Sequence, residues 1–213
     1  MSTAHRWHST EPGPTRIKIC GITSHEQIEE AAAAGADAIG LVQVAGSPRE
    51  VSPTLAAELR AATPAEVTPI TLLVNAAESA VQERACDWVQ LHGDEDEAAT
   101  KRAATRGPVI RAISFENWDA ILRWDRCEAV TRLLIDSHRG GSGVAFDHEA
   151  FAELAGSLRT PWILAGGLTP ETVTDAIRCL RPWGVDVSSG VESIRGMKDL
   201  AKITAFCEAV RAA

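Results

Sequence analysis

Apolar, β-rich runs alternate with Ala-, Glu- and Arg-rich stretches along almost the whole chain, and this alternation constrains the fold more than any other feature. The runs cover residues 17–20, 37–42, 70–75, 88–92, 109–113, 133–136, 162–165 and 185–187. Helical stretches over 26–34, 53–62, 76–85, 95–106, 116–126, 148–155, 170–180 and 198–210 separate and follow them; in the last, Leu200, Ile203, Phe206, Cys207 and Val210 share one face. Ser52-Pro53 and Thr169-Pro170 each place a capping residue before a proline suited to the first helical position, and Ala34-Gly35 closes the first helix. Strict alternation implies a parallel sheet, because parallel neighbours need long crossovers. Eight units in 213 residues fit a single α/β domain, a closed (β/α)8 TIM barrel, better than the alternative of an open doubly wound sheet.

Composition bounds the partners. A net charge of -8 argues against nucleic acid, which requires a basic face. No run approaches 18 apolar residues, so no transmembrane helix is expected. The five cysteines, Cys20, Cys86, Cys127, Cys179 and Cys207, form no C-x-x-C pair and no zinc-finger spacing, as expected of reduced thiols in a cytoplasmic protein with no metal. Residues 1–15 lack the apolar centre of a signal peptide and read as a flexible extension ahead of a catalytic domain over 16–213; Trp7 has no role in that reading.

Strand parity points to a site. Side chains alternate across a strand, so Lys18 and Cys20 share a face, as do Gln90 and His92, Leu134 and Asp136, and Asp186 and Ser188. Their neighbours Ile17, Ile19, Val89, Leu91, Leu133, Ile135, Val185 and Val187 are apolar and suit packing against helices. The polar set then faces the barrel interior, and inward polar groups near strand C-termini mark a site. An acid (Asp136) and a potential thiolate (Cys20) on two strand ends imply proton transfer. Lys18 on the same face as Cys20 favours the thiolate, and in a closed barrel Asp186 on the eighth strand is placed to pair with Lys18. Asp136 has a plainer alternative as a loop-bracing carboxylate, and His92 is either a structural histidine or a donor to substrate. Gly166-Gly167 and Ser188-Ser189-Gly190 follow the last two runs, where barrels of this class hold phosphate. Arg49 lies in the second loop, placed to clamp a carboxylate. The run Arg139–Gly143 after the sixth strand lacks the spacing of a dinucleotide fingerprint.

The segments Lys18-Ile19-Cys20-Gly21-Ile22-Thr23, Gly35-Ala36-Asp37-Ala38-Ile39-Gly40, Ser47-Pro48-Arg49, Val89-Gln90-Leu91-His92-Gly93, Ile135-Asp136-Ser137, Gly140-Gly141-Ser142-Gly143, Leu164-Ala165-Gly166-Gly167-Leu168 and Asp186-Val187-Ser188-Ser189-Gly190-Val191-Glu192 resemble, in order, the motifs of the phosphoribosylanthranilate isomerase family. The resemblance implies a cofactor-independent barrel enzyme of tryptophan biosynthesis. Its reaction would be the Amadori rearrangement of N-(5'-phosphoribosyl)anthranilate to 1-(2-carboxyphenylamino)-1-deoxyribulose 5-phosphate. By the same resemblance the base falls on Cys20, the acid on Asp136 and the anthranilate-carboxylate contact on Arg49. The phosphate loops fall on Gly166-Gly167 and on Ser188, Ser189 and Gly190.

Lys18, His92 and Asp186 complete the expected substrate-binding set. A small phosphosugar is the expected partner, with monomer and homodimer both open. The chain departs from the family pattern in the second loop, where Leu41-Val42-Gln43-Val44-Ala45-Gly46 lacks an aromatic residue and a lysine; Val144 and Arg111 also stand where lysine is usual. That loop keeps in play a paralogue acting on a related phosphorylated aminosugar; a catalytically silent phosphosugar-binding barrel is a second alternative, against which the presence of both Cys20 and Asp136 counts.

Overall fold

The computed structural model describes residues 6–11, 13–137 and 148–213, with side chains from Phe151 onward in the last stretch. The Arg139–Gly143 run, Val144, and residues 1–5 and 12 of the extension lie outside the described residues. Eight strands, β1 (Arg16–Cys20), β2 (Ala38–Val42), β3 (Thr68–Leu73), β4 (Trp88–Leu91), β5 (Val109–Ser114), β6 (Arg132–Asp136), β7 (Trp162–Ala165) and β8 (Gly184–Val187), form a closed parallel barrel in chain order. β8 pairs back onto β1, with Lys18 opposite Asp186. Helices α1 (His25–Ala33), α2 (Pro53–Ala62), α3 (Glu78–Gln82), α4 (Glu97–Ala104), α5 (Trp118–Asp125), α6 (His148–Ser157), α7 (Val173–Leu180) and α8 (Leu200–Arg211) follow the strands in turn.

The parity expected from sequence holds. Ile17, Ile19, Leu133, Ile135, Val185 and Val187 belong to the layer between barrel and helices, and Val89 and Leu91 to its smaller counterpart beside α3 and α4. Ala38, Ile70, Trp88, Ile110, Ala112, Leu134, Ile163 and Ala165 fill the inside. Ser52 accepts from Leu55 N–H ahead of Pro53, as its sequence position requires. The Thr169-Pro170 start is corrected by three residues: α7 begins at Val173, because Thr172 turns its hydroxyl back to accept from the Thr169 N–H. Lys198 is likewise not in the last helix. It sits in β10 (Met197–Lys198), paired antiparallel with β9 (Glu192–Ile194), and α8 starts after the Asp199 cap.

The expectation of a flexible extension does not describe Trp7. A 3-10 turn over Arg6–His8 drops this indole, fully buried, into the N-terminal end of the barrel. Its ring meets Trp183 edge-on at 5.0 Å and Trp88 at 6.2 Å. The Arg132 guanidinium stacks 4.4 Å from the Trp183 ring centre and 5.8 Å from that of Trp88. Burial, with Arg16 close by, pushes the Arg132 guanidinium down to about 10. Residues 6–11 stay down for a physical reason: removing so large an apolar ring from water stabilises the docking by about 3 kcal/mol.

Candidate active site

The C-terminal ends of the strands surround a cavity of about 370 Å³, lined by Cys20, His92, Asp136, Arg49, Gly166, Gly167, Asp186, Ser188, Ser189 and Gly190, among others. Lys18 lies one layer beneath. Every candidate residue named from sequence is therefore on this cavity or directly under it.

Lys18 and Asp186, register partners on β1 and β8, form an ion pair of 2.8 Å with the lysine side chain fully buried. Burial alone would lower the Lys18 ammonium, yet the Asp186 carboxylate paired with it holds its pKa above the ordinary lysine value. Cys20 stands opposite Gly40 of β2. A Cβ at position 40 would lie 2.7 Å from the Cys20 sulfur and 3.2 Å from the Lys18 nitrogen, so the absence of a side chain there makes room for both groups. The pull of Lys18 toward the Cys20 thiolate, expected from their shared face, is present but outweighed. Burial pushes the thiol up, and the opposing pull of Lys18, to which it hydrogen-bonds, does not overcome this. Cys20 rests as a thiol.

On the far wall, His92 Nε2 lies 3.4 Å from Asp136 Oδ2. Gln90 Nε2 meets His92 Nδ1 at 2.7 Å, so Nδ1 is assigned as the acceptor and the imidazole proton falls on Nε2, facing Asp136. Gly166 bends the loop after β7 with φ of +90°, and a Cβ there would sit 2.5 Å from Asp136 Oδ1. That close approach fixes the glycine beside the carboxylate. Gly190, in the 3-10 turn Ser189–Val191, abuts the Leu168 carbonyl, so the loops after β7 and β8 meet backbone to backbone.

Val42, Val44, Leu72 and Val74 form an apolar wall on the β2–β3 side of the cavity, and Arg49 stands at its rim. The Arg49 side chain crosses Gly21 and pairs in bidentate fashion with Glu192. Arg111, standing where the family pattern has lysine, points outward. It braces the loop after β4 through the Leu91 and Gly93 carbonyls and Glu95, and stacks 4.9 Å from the Trp124 ring centre. Sequence reasoning assigned no role to Glu192 and Lys198. Their signal, a charged pair straddling an Arg195-Gly196 turn, is visible only once β9 and β10 are known to pair.

Among the described residues no group of three or more His, Cys, Asp or Glu side chains is arranged to hold a metal ion, and no helix is long and apolar enough to cross a membrane.

The profile of the N-(5'phosphoribosyl)anthranilate (PRA) isomerase family matches residues 17–209. An N-(5'-phosphoribosyl)anthranilate isomerase of Leptothrix cholodnii is 44% identical over 209 residues, covering 94% of this chain and 92% of that one. The crystal structure of the phosphoribosyl anthranilate isomerase from Thermotoga maritima superposes with a TM-score of 0.83 at 33% identity, covering 93% of this chain and 100% of that one. A phosphoribosyl anthranilate isomerase in complex with reduced 1-(o-carboxyphenylamino)-1-deoxyribulose 5-phosphate does so with a TM-score of 0.82 at 32% identity and the same coverage.

Proposed function

The chain belongs to the N-(5'-phosphoribosyl)anthranilate isomerase family, isomerases of tryptophan biosynthesis, and from that premise we propose that Cys20 is its general base and Asp136 its general acid. The observation that carries this reading is that both residues, from β1 and β6, line one cavity together with Arg49 and the loops after β7 and β8.

In this reading the 5'-phosphate lies against the backbone of Gly166-Gly167 and Ser188–Gly190, where glycine lets the anion approach closely. The anthranilate ring packs on the apolar wall of Val42, Val44, Leu72 and Val74, so Val44 stands in for the missing aromatic residue of the second loop. Arg49 meets the anthranilate carboxylate. Asp136 gives its proton to the furanose ring oxygen as the C1–O bond breaks, leaving an iminium between C1 and the anthranilate nitrogen. His92 orients that carboxyl group through its Nε2 proton. Cys20 acts in its minor thiolate form, the thiol proton released to bulk water; it takes the proton from C2, the C–H electron pair forms the C1=C2 bond of an enolamine, and the iminium π pair returns to nitrogen. The developing positive charge on the iminium and the Lys18 ammonium both favour the thiolate at that moment. Tautomerisation moves the enol proton to C1 and gives the ketone.

A cytoplasmic enzyme acting on a small phosphosugar fits these features. The Thermotoga maritima relative is described as dimeric, with monomers generated from it, so this chain belongs in the same monomer–homodimer range. The experiment that tests the roles is steady-state turnover of phosphoribosylanthranilate by Cys20→Ala and Asp136→Ala, each checked for folding by circular dichroism. Near-normal turnover in either folded variant refutes its assignment.

A further inference from the structure

Arg49 is held by more than its own loop. Glu192 Oε1 accepts from Arg49 Nε at 2.6 Å and Oε2 from Nη2 at 2.8 Å. A guanidinium presents two forks, Nε with Nη2 along its side and Nη1 with Nη2 at its end. Glu192 takes the first. The second remains at the cavity rim, which Arg49 lines and Glu192 does not. Glu192 is itself fixed, accepting from the Gly196 N–H at 3.0 Å and the Lys198 ammonium at 3.0 Å. Lys198, its side chain fully buried, also donates to the Ser188 carbonyl at 2.9 Å, and the Ser188 hydroxyl donates to the Cys20 carbonyl at 3.0 Å.

The hairpin carrying these residues presses on the Arg49 loop from outside. A Cβ on Gly196 would lie 2.6 Å from the Pro48 carbonyl oxygen. The cluster also holds two cations and one carboxylate, and among the described residues neither Arg49 nor Lys198 has a second acidic partner. A single positive charge is left over beside an apolar wall, and a carboxylate on an aromatic ring is the ligand that neutralises it.

We infer that Glu192, on the β9–β10 hairpin, is a positioning residue that occupies one fork of Arg49 and thereby aims the other at the substrate carboxylate. The inference rests on the reading of Arg49 as the carboxylate contact.

Glu192→Gln tests it. Glutamine keeps an oxygen for Lys198 and Arg49 Nε, but sets its amide N–H groups against Arg49 Nη2 and the Gly196 N–H. The expected result is a rise of about tenfold in KM for phosphoribosylanthranilate, with kcat within about twofold. Competitive inhibition by anthranilate should weaken about tenfold, while inhibition by inorganic phosphate stays within about twofold. The substitution adds net positive charge to the cluster, so a weakening reports aim rather than charge; unchanged or tighter anthranilate inhibition overturns the inference. Arg49→Ala separates the two layers. If it leaves KM unchanged, the carboxylate contact itself is wrong; if it raises KM and Glu192→Gln does not, only the positioning role fails. Should Glu192→Gln not fold, Arg49→Lys, which keeps a charge without a fork, is expected to raise KM as Arg49→Ala does, and a normal KM in that variant overturns the inference.

Discussion

The two ends of the barrel are reached by stepping along the same inward-facing positions. β4 carries Trp88 at one end and Gln90 beyond it, with His92 just past the strand; β6 carries Arg132, Leu134 and Asp136; β1 carries Arg16, Lys18 and Cys20. At the N-terminal end these positions meet Trp7 and Trp183 in a stacked aromatic and guanidinium plug. At the C-terminal end they surround an open cavity. Four residues of strand, from Arg16 to Cys20 and from Arg132 to Asp136, separate a rim closed by packing from one that lines a cavity. One rim is closed by packing, and the other carries the polar groups that mark a site.

The largest expected effect would break this division outright. Cys20→Ala and Asp136→Ala should each cut turnover by about 10²–10⁴-fold while the denaturant midpoint stays close to that of the parent. A collapse in midpoint would mean that the open rim is structural after all. Trp7→Ala is the mirror experiment. Emptying that pocket should cost about 3–5 kcal/mol of stability by urea titration, with kcat of the remaining folded enzyme within about twofold. Loss of kcat would tie the two rims together.

A third test sharpens the division through pH. The Cys20 thiol is held above the ordinary thiol range by burial, so the basic form is scarce at neutral pH. The rate of alkylation of Cys20 by iodoacetamide, followed by peptide mass spectrometry, should therefore climb about tenfold per pH unit from neutral pH into the alkaline range. A rate already level at neutral pH would mean a resting thiolate and overturn this protonation state.

The smallest effect concerns Glu192. Burial resists its ionisation, yet hydrogen bonds from Arg49, Gly196 and Lys198 hold its carboxyl at about 2, against an ordinary 4.5. A folded-state value below the unfolded one stabilises fully above pH 4.5, and that stabilisation is lost as pH falls toward 2. The stability gap between the parent and Glu192→Gln should narrow over that window in acid titrations followed by circular dichroism.

Much of the open rim could be read before any coordinates. Period-two alternation puts Lys18 and Cys20 on one face by geometry alone, and closure of the barrel brings Asp186 beside Lys18. The sign of the Cys20 shift was not legible, because it depends on how deep the thiol lies and not on which cation is near. Trp7 was missed because a lone tryptophan among polar residues has no periodicity to assign it to a face. Glu192 and Lys198 were missed for a different reason: a short strand pair built from Glu-Ser-Ile and Met-Lys runs is too brief to show alternation, and Lys198 merges by composition into the helix that follows.

The Trp7 plug also sets an order of events during synthesis. Its partners Trp88 and Trp183 lie far down the chain, and at about 5–20 residues per second the ribosome needs roughly 10–35 s after making Trp7 to supply Trp183. For that interval the nascent chain carries a bare indole with nowhere to dock, a natural landing point for chaperones and a position where a bulky amino-terminal fusion would interfere with completion of the fold.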